Sequence, residues 1–456
     1  MRQENSSPDF EGAAGSVYAG RHGFERPPDS SLSIKETQIS RPNEIPIEKK
    51  SRIRPGSTFS AFRYRNYRIF WTGGAVSNLG NWMQTVGQNW LVISLTNSPF
   101  MLGLVSFIGN SPVLFLSLYG GVVADRNSRR TVLLVTQNIM ALLVMFMAIL
   151  TFFNIINIWI VLAIALGVGI VQAFNSPAYQ TIIVDLVGKD DLMNAIAMNS
   201  LQFNLTRIIG PSIAGVLVSV VGVAACFFFN SLSFMAVIVA LMLVKLPPAS
   251  PRPGKRSALL EIKESLGYIK THSDIAGLIL ITIAFNLFIF PYLTLLPVFA
   301  RDVFHSGAGD YGLLLSAVGV GALFGSLIVA NASSRLKRHS RFFSGSTLSL
   351  LIALFGLALS REIVLSLLVL ALCGASMVMA NSTLNTLVQT SVPDEMRGRI
   401  VSVWTICTMG LMPVGNLISG TVAQGLGAPA AIMINGVAFL LVLVTTVVRF
   451  PKVREF

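Results

Sequence analysis

The sequence has 456 residues, of which 53% are hydrophobic and 12% are charged, and it carries a formal net charge of +13. Soluble domains carry about 25% charged residues, so this composition excludes an ordinary soluble protein. The apolar runs reach the roughly 20 residues with which a helix crosses the hydrocarbon of a bilayer, and they lack the period-2 alternation of barrel strands. We therefore predict an all-α integral membrane protein.

The first 66 residues differ from the rest, because they are rich in Ser, Pro and charged side chains and contain no apolar run. Such low hydrophobicity predicts a disordered N-terminal tail. The hydrophobic segment of a cleavable signal peptide is missing from residues 1–66, so we expect the tail to remain part of the protein.

Twelve apolar segments follow in two groups of six, and we number them α1 to α12. The first group is predicted at residues 68–95, 99–124, 130–153, 156–183, 192–220 and 222–246. The second group is predicted at residues 274–300, 309–332, 342–360, 362–390, 397–424 and 427–449. The predicted domains are a six-helix bundle at 67–246, a linker with a short surface helix at 247–273, a second bundle at 274–450 and a C-terminal segment at 451–456.

The basic residues orient these segments, because lysine and arginine accumulate on the cytoplasmic side of a membrane. Of the 34 lysines and arginines, 31 fall in the tail, the linker, the C-terminus and the loops of one side. We therefore predict a multi-pass protein of the cell inner (plasma) membrane with both termini and the linker in the cytoplasm. Attraction to anionic lipid head groups accounts for the positive charge, so nucleic-acid binding is not expected.

The two groups of segments resemble each other. Residues 187–215 and 392–420 have equal length, and a shift of 205 superposes two glycines of the first segment, Gly210 and Gly215, on glycines of the second. The same shift places Gly120 on Gly325. A common register predicts two pseudo-symmetric six-helix bundles, an arrangement that suits alternating access to a site between them.

The loop between α2 and α3 reads GVVADRNSRR. Its pattern consists of Gly121, Asp125, Arg126, Arg129 and Arg130. The spacing resembles the signature loop of the major facilitator superfamily, with serine at position 128 where the family usually has glycine. We expect the glycine to allow close helix approach and the arginines to anchor at the cytoplasmic surface. The resemblance implies that Asp125 holds the two bundles together on the cytoplasmic side and is released as they rock.

Several other segments, among them DLVGKDDLMNAIAMNS, RIIGPSIAG and VPDEMRGRIVS, resemble the enterobactin-exporter and macrolide-efflux branch of this superfamily. The resemblance implies export of drugs or siderophores. In α5, Gly210, Pro211 and Gly215 partly match the family's antiporter motif. Such residues can bend a helix and let neighbours pack closely, and a packing role alone remains the alternative.

The resemblance also implies that α1, α4, α7 and α10 line a central cavity, so their polar side chains are candidate substrate ligands. These are Asn78, Asn81, Gln84 and Gln88 on α1, Gln172, Asn175 and Tyr179 on α4, Asn286 on α7, and Asn381, Asn385 and Gln389 on α10. The alternative for each amide is a hydrogen bond between helices. An uncharged lining of this kind predicts a large, amphipathic and mostly neutral substrate.

Arg207 is the one charged residue deep within a predicted span. An arginine in a membrane is costly and usually faces protein or water, so we expect either a pair with Asp185 or contact with a substrate anion. All 21 acidic residues lie in tails, loops or helix ends. Coupling to protons is therefore implied by the resemblance alone.

Other functions remain as alternatives. An uptake or lipid-translocating carrier would have the same fold, and a non-transporting sensor would show no flux. A membrane enzyme would need clustered His, Asp or Glu at a membrane face, and the sequence has no such cluster, so we expect a transporter rather than an enzyme. We predict no cofactor and no metal site. The expected partners are a small-molecule substrate, protons and membrane lipids, and we expect a monomer.

Overall fold

The computed structural model describes residues 59–188, 191–244, 258–332 and 339–450. Within these ranges, the side chains of Leu118, Asp125, residues 258–263, Ala332 and His339 lie outside the description. The predicted tail up to residue 58 and the predicted C-terminal segment 451–456 also lie outside it. The described residues belong to one compact unit, Ile47–Phe456.

Twelve long helices form the described part of the protein, which confirms the predicted all-α fold. They are α1 (Arg65–Thr96), α2 (Pro99–Arg126), α3 (Arg129–Phe152), α4 (Ile158–Val187), α5 (Leu192–Val220), α6 (Val223–Leu243), α7 (Ser273–Val303), α8 (Ala308–Ala332), α9 (His339–Leu359), α10 (Ile363–Thr390), α11 (Asp394–Leu426) and α12 (Ala428–Arg449). The helix α7 contains two π-helical stretches, Phe285–Ile289 and Phe299–Val303. A shorter helix, Ala258–Thr271, lies in the predicted linker.

Eleven of the twelve helices are long and apolar enough to cross a membrane by the described residues alone. The exception is α1, which is long enough at 32 residues but carries many Asn, Gln and Gly side chains. A spanning helix of this composition needs a polar surface to face, because unsatisfied polar groups are costly in hydrocarbon. The sequence of α1 therefore already indicates that it faces the interior of the protein.

The two bundles are related by the predicted repeat, and glycine contacts make this visible. A Cβ atom on Gly169 of α4 would lie 2.1 Å from the carbonyl oxygen of Gly109 in α2. At the position 205 residues later, a Cβ atom on Gly374 of α10 would lie 2.1 Å from the carbonyl oxygen of Val318 in α8. Equivalent helix pairs therefore meet backbone to backbone, as small residues permit in membrane proteins.

The bundles contact each other through two pairs of helices, α2 with α11 and α5 with α8. We call the side of the protein where α1 begins the near side, and the side where α1 ends at Thr96 the far side. On the far side, Gly420 of α11 packs against Gly103 of α2, and Gly215 of α5 packs against Gly309 of α8. These close approaches bring the far ends of the two bundles together.

Hydrogen bonds between the bundles reinforce the far side. The Ser98 hydroxyl donates to Gln424 Oε1 at 2.6 Å, and Arg301 Nη1 donates to Asn97 Oδ1 at 2.7 Å. Nearer the middle of the membrane, Ser212 and Ser316 are joined at 2.8 Å. The described hydrogen bonds between the bundles lie between the middle of the membrane and the far side. The described polar contacts thus hold the bundles together toward the far side.

The described residues 59–64, which belong to the predicted tail, pack beside the start of α5. The turn Ser60–Arg63 lies on the start of α5, where the Ala61 N–H donates to Asn194 Oδ1 at 2.9 Å. Arg63 forms a buried ion pair with Asp191. Burial acts to raise the pKa of Asp191, but hydrogen bonds from Ser60 and Tyr64 and the charge of Arg63 hold that pKa below its usual value.

The glycine that allows a close helix approach beside the signature loop is Gly120, and not Gly121 as the motif predicts. A Cβ atom on Gly120 would lie 2.2 Å from the carbonyl oxygen of Ala173 in α4, and one on Gly121 would meet nothing within 4 Å. The two glycines are adjacent and therefore point in different directions from the helix axis.

We expect Gly120→Ala to lower the free energy of unfolding by about 1–3 kcal/mol, because the added methyl group overpacks the contact between α2 and α4. The matched control is Gly121→Ala, which should leave stability unchanged or raise it by up to about 1 kcal/mol through helix propensity. Thermal denaturation of the purified proteins in detergent measures both. Equal effects of the two substitutions would contradict the assigned contact.

Candidate functional site

A cavity of about 640 Å³ lies between the two bundles near the middle of the membrane-spanning helices. All four predicted amides of α1 line it, namely Asn78, Asn81, Gln84 and Gln88, together with Gln172 of α4 and Arg207 of α5. The α1 residues reach the same cavity because positions three and four apart share one face of a helix. The polar stripe of α1 therefore faces this cavity.

A second cavity of about 180 Å³ continues the first toward the near side. It shares Asn78, Asn81 and Gln172 with the larger cavity and adds Asn175 and Tyr179 of α4. The Oδ1 atom of Asn175 accepts hydrogen bonds from Thr136 at 3.0 Å and Gln137 at 3.3 Å. The amide of Asn175 is thus held by α3, so its present contacts are structural.

Four of the candidate residues lie outside both cavities. Asn286 is 2% exposed and donates to the carbonyl oxygen of Thr282 within its own helix. On α10, Gln389 Nε2 donates to Asn385 Oδ1 at 2.8 Å, and the Oδ1 atom of Asn381 is buried without a partner in the part of the chain that is described. The predicted polar line on α10 therefore pairs partly with itself instead of lining the cavity.

The cavity is also lined by residues that the sequence patterns did not indicate. Asn89 of α1, Tyr311 of α8 and Asn416 of α11 are the clearest, along with the aromatic rings of Trp82 and Phe203. Asn89 Nδ2 donates to the Tyr311 hydroxyl at 3.0 Å, and Asn416 Nδ2 donates to Ser106 Oγ at 2.7 Å. Both bonds join the two bundles at the far end of the cavity. Asn89 could have been found, because it continues the amide series of α1.

Arg207 lies near the middle of the 29-residue α5 and lines the cavity. The suggested pair with Asp185 does not form, because the Asp185 carboxylate makes an ion pair with Arg129 instead. Arg129 begins α3 and Asp185 is in the last turn of α4, both at the near side, whereas Arg207 is near the middle of α5. Among the described residues, the guanidinium of Arg207 makes no ion pair.

The signature loop lies on the near side of the first bundle. Arg129 joins Asp185, and Arg130 Nη2 donates to the carbonyl oxygen of Met242 in α6 at 3.0 Å. Arg126 is exposed at the end of α2. The side chain of Asp125 is outside the described residues. The two described contacts bind the start of α3 to α4 and α6, so they stabilise the near end of the first bundle.

The motif Gly210, Pro211 and Gly215 places α5 against two neighbours. A Cβ atom on Gly210 would lie 2.6 Å from the Cβ atom of Trp82, and one on Gly215 would lie 2.9 Å from the carbonyl oxygen of Gly309. Pro211 is inside the continuous helix α5. The described role of both glycines is therefore close packing, which fixes Trp82 at the cavity and closes α5 on α8.

The sequence of this chain is similar to a known family and to several transporters. The model of the family described as transmembrane secretion effector matches residues 56–456. The staphyloferrin A transporter of Staphylococcus aureus is 26% identical over 81% of this chain and 93% of its own length. The multidrug efflux pump Tap of Mycolicibacterium fortuitum is 26% identical over 82% of this chain and 93% of its length. The enterobactin exporter EntS of Shigella flexneri is 27% identical over 77% and 85%.

Solved structures agree on the fold. The nucleoside transporter NupG superposes with a TM-score of 0.71 at 13% identity, covering 85% of this chain and 99% of its own. A bacterial homologue of the lysosomal transporter Spinster, in an inward-facing and unoccupied conformation, superposes with a TM-score of 0.66 at 12% identity over 86% and 96%. The chain therefore belongs to the transmembrane secretion effector family of the major facilitator superfamily, and it is a multi-pass transporter of the cell membrane rather than an enzyme.

Proposed function

We propose that the protein exports small amphipathic molecules, of the drug or siderophore kind, from the cytoplasm by alternating access. The observation that carries this proposal is the polar cavity between two bundles that are held together by packing and hydrogen bonds toward the far side. A cavity closed on one side offers substrate a single entrance, and rocking of the bundles would move that entrance to the other side. The efflux functions in the names of the relatives support the outward direction.

The near side would be cytoplasmic in this proposal. The end of α2, the start of α3 and the start of α11 lie there and carry five arginines, whereas the described far-side turns carry two. This asymmetry fits the positive-inside rule. The cavity would then be open to the cytoplasm in this conformation. Substrate would enter from the cytoplasm or the inner leaflet and meet the amides of α1 first.

The far-side contacts would form the gate that must open. They combine glycine packing, which has two discrete arrangements rather than a continuous range, with a few hydrogen bonds such as Ser98 to Gln424. A hydrogen bond contributes about 0.5–1.5 kcal/mol net, so a handful can be exchanged for others when substrate binds. The signature-loop residues Gly121, Asp125, Arg126, Arg129 and Arg130 would act on the near side in the opposite conformation.

We include proton coupling in the proposal only because the resemblance to the family implies it. No Asp or Glu lines either cavity within the described chain, so a proton carrier would have to lie at a helix end. Efflux measured with an imposed pH gradient of either sign tests the coupling. Equal initial rates under both gradients would exclude it.

We predict that both termini face the cytoplasm, because twelve crossings return the chain to the side on which it starts. A phosphatase or fluorescent reporter fused after residue 456 should report the cytoplasm, and the same reporter inserted within 304–307 should report the opposite side. The matched control is an insertion at 247–254 in the linker, which should behave like the C-terminal fusion. The same location for the C-terminal and 304–307 reporters would contradict the orientation.

We predict that locking the far side abolishes transport. In a variant with Cys226, Cys373 and Cys407 replaced by serine, the pair Ser98→Cys and Gln424→Cys should be joined by a short bifunctional thiol reagent, since the native oxygen atoms are 2.6 Å apart. Flux should fall at least about tenfold, and cleavage of the cross-link should restore it. Each single-cysteine variant treated with the same reagent is the control.

The flux assay itself decides the function. A deletion strain and a complemented strain are compared for accumulation of a panel of antibiotics and siderophores, and each compound that differs is then offered to everted and right-side-out vesicles. Uptake into everted vesicles is expected for export. Uptake into right-side-out vesicles only would identify an importer, a phospholipid substrate would identify a lipid carrier, and no flux of any compound would favour a sensor.

A further inference from the structure

The electrostatic balance of the cavity is unusual, because its described lining contains a full positive charge and no negative one. Arg207 lines the cavity near the middle of α5. The cavity lining otherwise consists of amides, hydroxyl groups and apolar or aromatic side chains. A charge at this depth is expensive unless it is paired or hydrated. The cavity therefore has a net positive potential that an occupant can neutralise.

The acidic side chains of the helices around α5 are at helix ends or already paired. The helices α1 and α5 contain no Asp or Glu, and in α8 the only acid is Asp310 in the first turn. Asp185 of α4 pairs with Arg129, and Asp302 of α7 pairs with Arg301. None of these carboxylates lines the cavity in the described structure. Thus no described carboxylate of the protein neutralises the charge of Arg207.

The surroundings of Arg207 also fit a particular kind of ligand. A guanidinium presents a planar fork of donors that matches a carboxylate bidentately, which a lysine ammonium cannot do. Trp82 and Phe203, whose ring centroids are 6.0 Å apart, lie on the same cavity wall and can pack against a flat apolar body. Asn78, Asn81 and Gln84 can then bind hydroxyl or amide groups.

We propose that the cavity is an anion site in which Arg207 binds a carboxylate or a similar planar oxyanion of the transported molecule. The substrate class is thereby an organic anion with a flat or amphipathic body, and cationic drugs are disfavoured by repulsion from Arg207 in a site of low dielectric constant. This inference rests on the proposed function, since it names the substrate class of the same cavity. The expected substrate is therefore an anion, whereas the amides alone predict a mostly neutral molecule.

Equilibrium binding to the purified full-length protein in detergent tests the inference without requiring transport. The probes are 2-naphthoate and 2-naphthamide, which share shape and differ in charge, and the signal is quenching of tryptophan fluorescence, to which Trp82 contributes. Wild type should bind the carboxylate at least about tenfold more tightly than the amide, because hydrogen bonds to charged groups are the stronger ones.

Variants assign the preference to one side chain. Arg207→Gln should abolish the preference while leaving the affinity for 2-naphthamide within about twofold, and Arg207→Lys should keep only part of it because the fork is lost. The matched control is Arg341→Gln, which removes an exposed arginine at the start of α9 and should leave the preference intact. The lysine variant keeps the charge, so it still tests the role of Arg207 if the glutamine variant does not fold.

Three results would overturn the inference. The first is that wild type binds the two probes with equal affinity or binds neither. The second is that both Arg207 variants keep the full preference for 2-naphthoate. The third is that equimolar chloride fully displaces 2-naphthoate, which would indicate an inorganic anion site only. Failure of the proposed function is separate. Vesicles that show no flux of any compound, together with a retained preference for 2-naphthoate, would leave the anion site intact and exclude the exporter.

Discussion

The cost of placing polar groups in hydrocarbon is the constraint on which this structure depends. Each amide or charge within a spanning helix needs a partner or water, and α1 has too many amides to face lipid. The protein meets the constraint by turning that helix toward a central cavity, where Asn78, Asn81, Gln84 and Gln88 share one wall. Arg207 faces the same cavity for the same reason. One polar cavity therefore explains both the amides of α1 and the charge of Arg207 within the membrane region.

Maintaining such a cavity requires tight packing everywhere else. Helices in lipid gain little from the hydrophobic effect, so they associate through close van der Waals contact at small residues. Gly169 and its counterpart Gly374 illustrate this, because each brings a helix of its own bundle against a carbonyl oxygen of the next. The same device joins the bundles on the far side through Gly103 and Gly420. Packing within each bundle is therefore shared by both copies of the repeat, and the glycine contacts between the bundles lie from the middle of the membrane to the far side.

Much of this could be predicted from the sequence. The apolar runs fix the number of helices, and the shift of 205 residues that superposes glycine on glycine corresponds to real packing contacts. The amide stripe of α1 was predictable because helical periodicity determines which residues share a face. Arg207 was recognisable because charges are rare at membrane depth.

Other features depended on tertiary contacts that periodicity does not contain. The polar line of α10 looked like that of α1, yet Asn385 and Gln389 hydrogen-bond to each other outside the cavity. Tyr311 and Asn416 belong to helices that carry no amide stripe, and they reach the cavity only because their helices cross the other bundle on the far side. Neither the choice of Gly120 over Gly121 nor the pairing of Asp185 with Arg129 follows from spacing alone, because each depends on how neighbouring helices are rotated.

The central claim, that the two bundles are fastened on the far side and rock about the cavity, is tested most directly by distances between spin labels. One pair at Asn127 and Ser402 reports the near side, and another at Leu95 and Leu426 reports the far side; all four positions are exposed. In proteoliposomes with a transported compound, the account predicts two populations in which a shorter near-side distance accompanies a longer far-side distance. A single distance at each side, unchanged by the compound, would contradict it.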